Sequence, residues 1–98
     1  MPQNILVTIT MKLKPEGRER FIAAVPAFVT ATRGEPGCLS YDFYMSMTED
    51  HVVTTIERWV DPLAAITHLA SPNTRHFVAL TGECVDTPPE FTTIPWPG

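Results

Sequence analysis

The chain has 98 residues, of which 44% are apolar and 18% charged, and a formal net charge of −4 at pH 7. That length suits one domain around a single core, and the apolar content excludes a disordered chain. The acidic balance argues against nucleic acid as a partner, because phosphate binding needs grouped Lys and Arg in excess. No apolar run approaches the roughly 20 residues of a membrane span.

The start, Met1-Pro2-Gln3-Asn4, has no basic stretch and runs directly into a strand, so no signal peptide is expected and the reading is cytoplasmic. Ile5, Val7, Ile9, Met11 and Leu13 alternate with Leu6, Thr8, Thr10 and Lys12, the period of two of a strand with one apolar face. Pro15 ends it and opens a helix over Glu16 to about Thr32, in which Phe21, Ala24, Val25, Phe28 and Val29 recur at helical spacing. Pro26 inside this run predicts a kink or loosened hydrogen bonding. Gly34 is expected as the left-handed cap, and Pro36-Gly37 as a turn.

A second strand is expected over about Cys38 to Met45, with Leu39, Tyr41, Phe43 and Met45 on one face and Cys38, Ser40, Asp42 and Tyr44 on the other. Ser46 to Asp50 is a polar hairpin connection, and His51 to Val60 a third strand rich in β-branched residues. Asp61 and Pro62 are cap and first residue of a helix to about Ala70. Ser71 and Pro72 repeat that signal for a segment to about Leu80. Phe91 to Ile94 reads as a last short strand inside a flexible Pro-rich tail of about 86–98.

The order β-α-β-β-α-(α)-β is that of an α+β, ferredoxin-like split β-α-β domain spanning residues 1–98. An antiparallel sheet with helices on one face leaves the other bare. Such an apolar face points to a homodimer in which two sheets meet, and the low charge content agrees with a partly covered surface. The two cysteines, Cys38 and Cys84, fit neither a zinc knuckle nor a CxxC pair and read as reduced, mostly buried thiols.

Glu57, Trp59 and His68 bring an acid, an indole and an imidazole to one strand–helix junction, at the mouth of what reads as one pocket. From the sequence, none of the three is expected to be needed to hold a small domain together. Each also has a plain structural reading. Trp59 is a core indole at a strand end, and Glu57 a cross-strand ion pair beside Arg58. His68 sits on the edge of an apolar stripe with Ala65 and Leu69.

Glu35-Pro36-Gly37-Cys38-Leu39-Ser40-Tyr41, Glu57-Arg58-Trp59 and His68-Leu69-Ala70-Ser71-Pro72 stand in the order and register of the antibiotic biosynthesis monooxygenase superfamily, which the chain resembles over about residues 4 to 80. Members of that superfamily are dimeric α+β barrels and include quinol or anthrone oxygenases, a signal-molecule isomerase and haem-degrading enzymes. The resemblance implies oxidation of a phenolic, quinol or anthrone-type aromatic by O2 with no bound cofactor. It makes His68 the base, since imidazole titrates near neutral pH. Trp59 would stack on the ring or donate to an oxyanion, and Glu57 would accept a proton or hold the His68 tautomer. Tyr41, Tyr44 and Asn73 would orient substrate oxygens, and Phe28 would shape the pocket. Tyr41 and Tyr44 point to opposite faces of one strand, so one pocket holds one of them.

The chain also departs from the superfamily. Several quinol-oxidising relatives carry a second His where this chain has Asn73, so a two-imidazole mechanism would recruit His76. The iron-ligating His of the haem-degrading members falls near Val78, which argues against haem. A cofactor-free isomerase using Glu57 and His68 as an acid–base pair and a non-catalytic small-molecule binding module are the alternatives.

Overall fold

The computed structural model describes residues 3–97. Met1 and Pro2 of the expected start, and Gly98 of the expected tail, lie outside the described residues. Strand β1 runs over Ile5–Lys12, and its apolar parity faces inward: Ile5, Val7 and Met11 are buried. Leu13, just past its end, is fully buried and bridges to Val85. A 3₁₀ turn, Pro15–Gly17, leads into α1, Arg18–Arg33. Helix α1 continues through Pro26. The bond lost at that proline is to the Ile22 carbonyl, on the exposed side of the helix, where solvent replaces it.

The left-handed position lies at Gly37, φ +81°, and not at Gly34, φ −85°. Pro36 followed by a positive-φ glycine, with the Cys38 N–H donating to the Glu35 carbonyl at 3.2 Å, is the pattern of a type II turn. A Cβ at position 37 would stand 2.6 Å from Ala64 Cβ and 2.8 Å from Val60 Cγ2, so the turn lies tight against the start of the next helix.

Strands β2, Cys38–Met45, and β3, Val52–Trp59, follow. A register shift between Cys38 and Ser40 makes Leu39 the extra residue of a bulge. Cys38 therefore sits opposite Trp59 and packs against the core, while Leu39 is exposed, the reverse of strict alternation. Helix α2, Pro62–Ala70, is capped by Asp61, whose carboxylate accepts from the Ala64 N–H at 2.8 Å. Ser71 ends α2 and caps α3, Pro72–Cys84. Helix α3 outruns the expected end near Leu80 because its buried row, Thr74, Phe77, Thr81 and Cys84, carries on past the break that Gly82 signals.

Strand β4, Glu90–Pro95, lies within the expected tail and pairs antiparallel with β1. The sheet order is β2-β3-β1-β4, antiparallel at every pairing and open at both edges. The three helices pack on one face. Trp59, Phe21 and Leu13 are among the most deeply buried core side chains, and Phe28 stacks on Phe77 at 4.0 Å. The fold is α+β and ferredoxin-like, as the element order predicts. Among the described residues no helix is long and apolar enough to cross a membrane.

Candidate active site

His68 is the centre of the site. It sits in the last turn of α2, on the row that faces the sheet, and is 4% exposed. The Trp59 indole lies against it at 4.8 Å between ring centroids, Tyr41 at 5.5 Å and Phe28 at 6.0 Å. Of the residues singled out in the sequence, Glu57, Trp59, His68, Tyr41 and Phe28 come together here.

The imidazole is held from one side. Its Nδ1 lies 2.5 Å from Glu35 Oε1 and 3.2 Å from Thr74 Oγ1. A nitrogen beside a carboxylate carries the proton and donates it. Nε2 makes no hydrogen bond among the described residues, so in the neutral ring its lone pair is free. The hold is built by two short connections. The Glu35-Pro36-Gly37 turn aims Glu35 at α2, and the Ser71 junction puts Thr74 six residues after His68, on the same side. Ser71 Oγ accepts from the Thr74 N–H at 3.2 Å and donates to Thr74 Oγ1 at 3.0 Å.

Glu57 has a different task from the one expected. Its Oε1 accepts from Trp59 Nε1 and its Oε2 from Thr55 Oγ1, both at 3.0 Å. Glu35, and not Glu57, holds the His68 tautomer. The Trp59 N–H is committed to Glu57 and is not free for a substrate oxyanion. Trp59 is completely buried and backs His68, which leaves it no surface for a ligand. Burial pushes the Glu57 carboxyl above the usual carboxylate range, against the opposing pull of its two donors and of His68.

Tyr41, unlike Trp59, keeps its donor unbonded among the described residues. It borders an apolar cavity beside His68. Burial first, then the acidic groups of Glu57, Cys38 and Glu35, push its ionisation far up, so it stays protonated. That cavity, of ≈ 200 Å³, has mainly apolar walls, among them Met11, Phe28, Phe43 and Phe77.

Tyr44, Asn73 and His76 are not part of the site. Tyr44 is 52% exposed on the far face of the sheet. Asn73 and His76 are exposed on α3, each one residue before a member of its buried row, and point away from the cavity. Glu35 and Thr74 were missed as site residues. For Thr74 the signal is its place at the head of the α3 buried row. For Glu35 it is only the acid before Pro-Gly.

Residues 4–80 match the family model described as "Antibiotic biosynthesis monooxygenase". A Synechocystis protein, "Uncharacterized protein sll1783", is 36% identical over 89% of this chain, which spans only 59% of that relative's length. "Putative monooxygenase YcnE" of Bacillus subtilis is 30% identical over 86% of this chain and 88% of its own. The solved structure of Rv0793 from Mycobacterium tuberculosis superposes with a TM-score of 0.86 at 30% identity, covering 93% and 92% of the two chains. A conserved protein from Methanosarcina mazei Go1 superposes with a TM-score of 0.90 at 25% identity, covering 94% and 91%. Relatives and family together support a monooxygenase-type function. The chain belongs to the antibiotic biosynthesis monooxygenase family.

Proposed function

We propose that the protein oxidises a phenolic, quinol or anthrone-type aromatic with O2, using no bound metal or flavin. The observation that carries this reading is the buried His68, with Nδ1 engaged by Glu35 and Nε2 unbonded, beside an apolar cavity that Tyr41, with its unbonded hydroxyl, also lines. His68 Nε2 takes the phenolic proton, and the Glu35 carboxylate stabilises the imidazolium that forms. The Tyr41 O–H donates to the new oxyanion. The electron-rich anion reduces O2 by one electron, and the two radicals join in a carbon–peroxide bond. Loss of water then leaves a carbonyl. The balance closes: one oxygen atom enters the product, and the other leaves as water with the two hydrogens the substrate gives up. Apolar walls keep the phenolate and peroxide away from bulk water.

Glu57 weighs against the isomerase alternative, which needs a free carboxylate beside His68, because both its oxygens already accept hydrogen bonds. The outer face of the sheet supports a homodimer. Ile56, Ile94 and Tyr44 are 39%, 44% and 52% exposed there, and a second copy of this face would cover them and close two open sheets into a barrel. The free thiols of Cys38 and Cys84 support a cytoplasmic setting.

An oxygen electrode and a panel of anthrones and hydroquinones test the reaction. The expected result is uptake that falls at least about a hundredfold in His68→Ala. In Glu35→Gln, kcat falls at least about tenfold, while anaerobic ligand affinity stays within about twofold, since Glu35 positions the base and does not touch substrate. Uptake no higher than with buffer, or undiminished in His68→Ala, sinks the reading.

A further inference from the structure

Two cavities meet at His68. The first is the ≈ 200 Å³ space beside Tyr41 and Phe28; the second, of ≈ 250 Å³, lies between α2 and the inner side of β1 and β4. Ile9, His68, Leu69 and Phe91 border both. A cavity of about 150 Å³ holds one benzene ring, and sites for larger organic ligands run to about 300–1,000 Å³. Each cavity alone is thus a one-ring site, and only both together reach the larger range.

The polar groups are unevenly divided. Tyr41, whose hydroxyl is unbonded among the described residues, borders the first of these two cavities and not the second. Glu57 borders the second, but both its oxygens are taken. Apart from His68, the second cavity offers a ligand little but apolar wall. The partition is also soft. Leu69 is 48% and Phe91 57% exposed, so neither side chain is locked by packing. Strand β4 makes its ladder contacts with β1 alone, which leaves Phe91 overhanging the passage from an edge strand.

We propose that Phe91, with Leu69, sets the length of the ligand. The substrate carries one phenolic ring in the first cavity, against His68 and Tyr41, and an apolar substituent of about one ring's bulk that passes Phe91 into the second. The assignment rests on the phenol-oxidising reading for the identity of the ring, and on the two cavities for the substituent.

Anaerobic binding to the full chain tests it. Isothermal titration calorimetry reads each affinity, since an indole introduced at position 91 would confuse a fluorescence reporter. The probes are hydroquinone and 2-phenylhydroquinone. The expected result is that the phenyl substituent tightens binding at least about tenfold, the worth of burying one ring. Phe91→Trp, which fills the passage, removes that gain and leaves hydroquinone within about twofold. Phe91→Ala, at the same exposed position, keeps the gain. Equal affinities for the two probes, or a Phe91→Trp that shifts both alike or neither, overturns the assignment. Tight phenylhydroquinone binding with no oxygen uptake in air supports it while overturning the oxidation reading. Uptake with hydroquinone and no gain from the phenyl group does the reverse.

Discussion

The two faces of strand β3 are one residue apart in sequence and belong to different problems. On the inner face Val53, Thr55, Glu57 and Trp59 are at most 2% exposed. On the outer face Ile56 is 39% exposed, the Thr54 hydroxyl pairs with that of Thr10 at 2.9 Å, and the Arg58 guanidinium lies 5.2 Å from the Trp96 ring centre. The inner row contains a carboxylate and still works as core, because each of its oxygens meets a donor two residues away on the same face. Burying a charged or polar group is tolerable only on those terms. The outer row has its own pairings but no comparable enclosure, and its exposed aliphatic groups are the ones the proposed dimer would cover. Polarity alone does not separate the faces; satisfaction of the polar groups does.

Breaking the inner face is the largest effect. Trp59→Ala removes the most deeply buried large side chain, leaves a void against His68 and strips Glu57 of a donor. A loss of about 3–5 kcal/mol is expected, a large share of the roughly 5–15 kcal/mol that holds a domain together. Urea unfolding at fixed protein concentration measures it. A loss under about 1 kcal/mol would mean that the inner row is not the core it looks like.

The outer face tests the proposed assembly. Ile56 stands opposite Thr8 and Asp42 in the middle of the sheet. Ile56→Asp adds a charge where the proposed dimer would bury it, and two-fold symmetry brings that charge near its own copy. Sedimentation velocity should find a dimer for the parent chain and a monomer for the variant, with the monomer still folded by circular dichroism. An unchanged dimer would place the interface elsewhere.

How much of this was legible depends on whether the information is local. The starts of α2 and α3 were, because Asp61-Pro62 and Ser71-Pro72 each supply a cap and a first residue within two positions. The opposite facing of Tyr41 and Tyr44 was too, since it follows from the period of two. The bulge at Leu39 was not, because nothing in Cys-Leu-Ser marks the extra residue. The place of Glu35 beside His68 was not either. The two are 33 residues apart, and the contact depends on how the Gly37 turn seats against Ala64 and Val60. Asn73 and His76 were misplaced for want of one quantity, the rotation of α3. Once Thr74 and Phe77 are known to be buried, their immediate predecessors point outward. The donors of Glu57 were the nearest miss. Thr55 and Trp59 lie two residues on either side of it, on its own face, and alternation alone pairs them.

The smallest effect tests that pairing at its weakest point, the charge. The Glu57 carboxyl is raised above its ordinary range, mainly by burial. It therefore holds its proton more tightly folded than unfolded. Between the unfolded value, about 4.3, and the higher folded value, the native state binds more protons, so stability falls as pH rises through that window. Below the window the carboxyl is neutral in both states and contributes no penalty; above it the full penalty stands. Glu57→Gln takes the titration away and keeps the geometry. The amide oxygen accepts from Trp59 Nε1, and the amide N–H donates to Thr55 Oγ1, which turns its own hydrogen aside. The difference in stability between variant and parent should then grow in the variant's favour from about pH 4 upward, by about 1.4 kcal/mol for each pH unit by which the native carboxyl is shifted. Thermal unfolding across pH 4–8 reads it directly. A constant difference would mean that Trp59, Thr55 and His68 offset burial completely, and that the inner face carries its carboxylate without penalty.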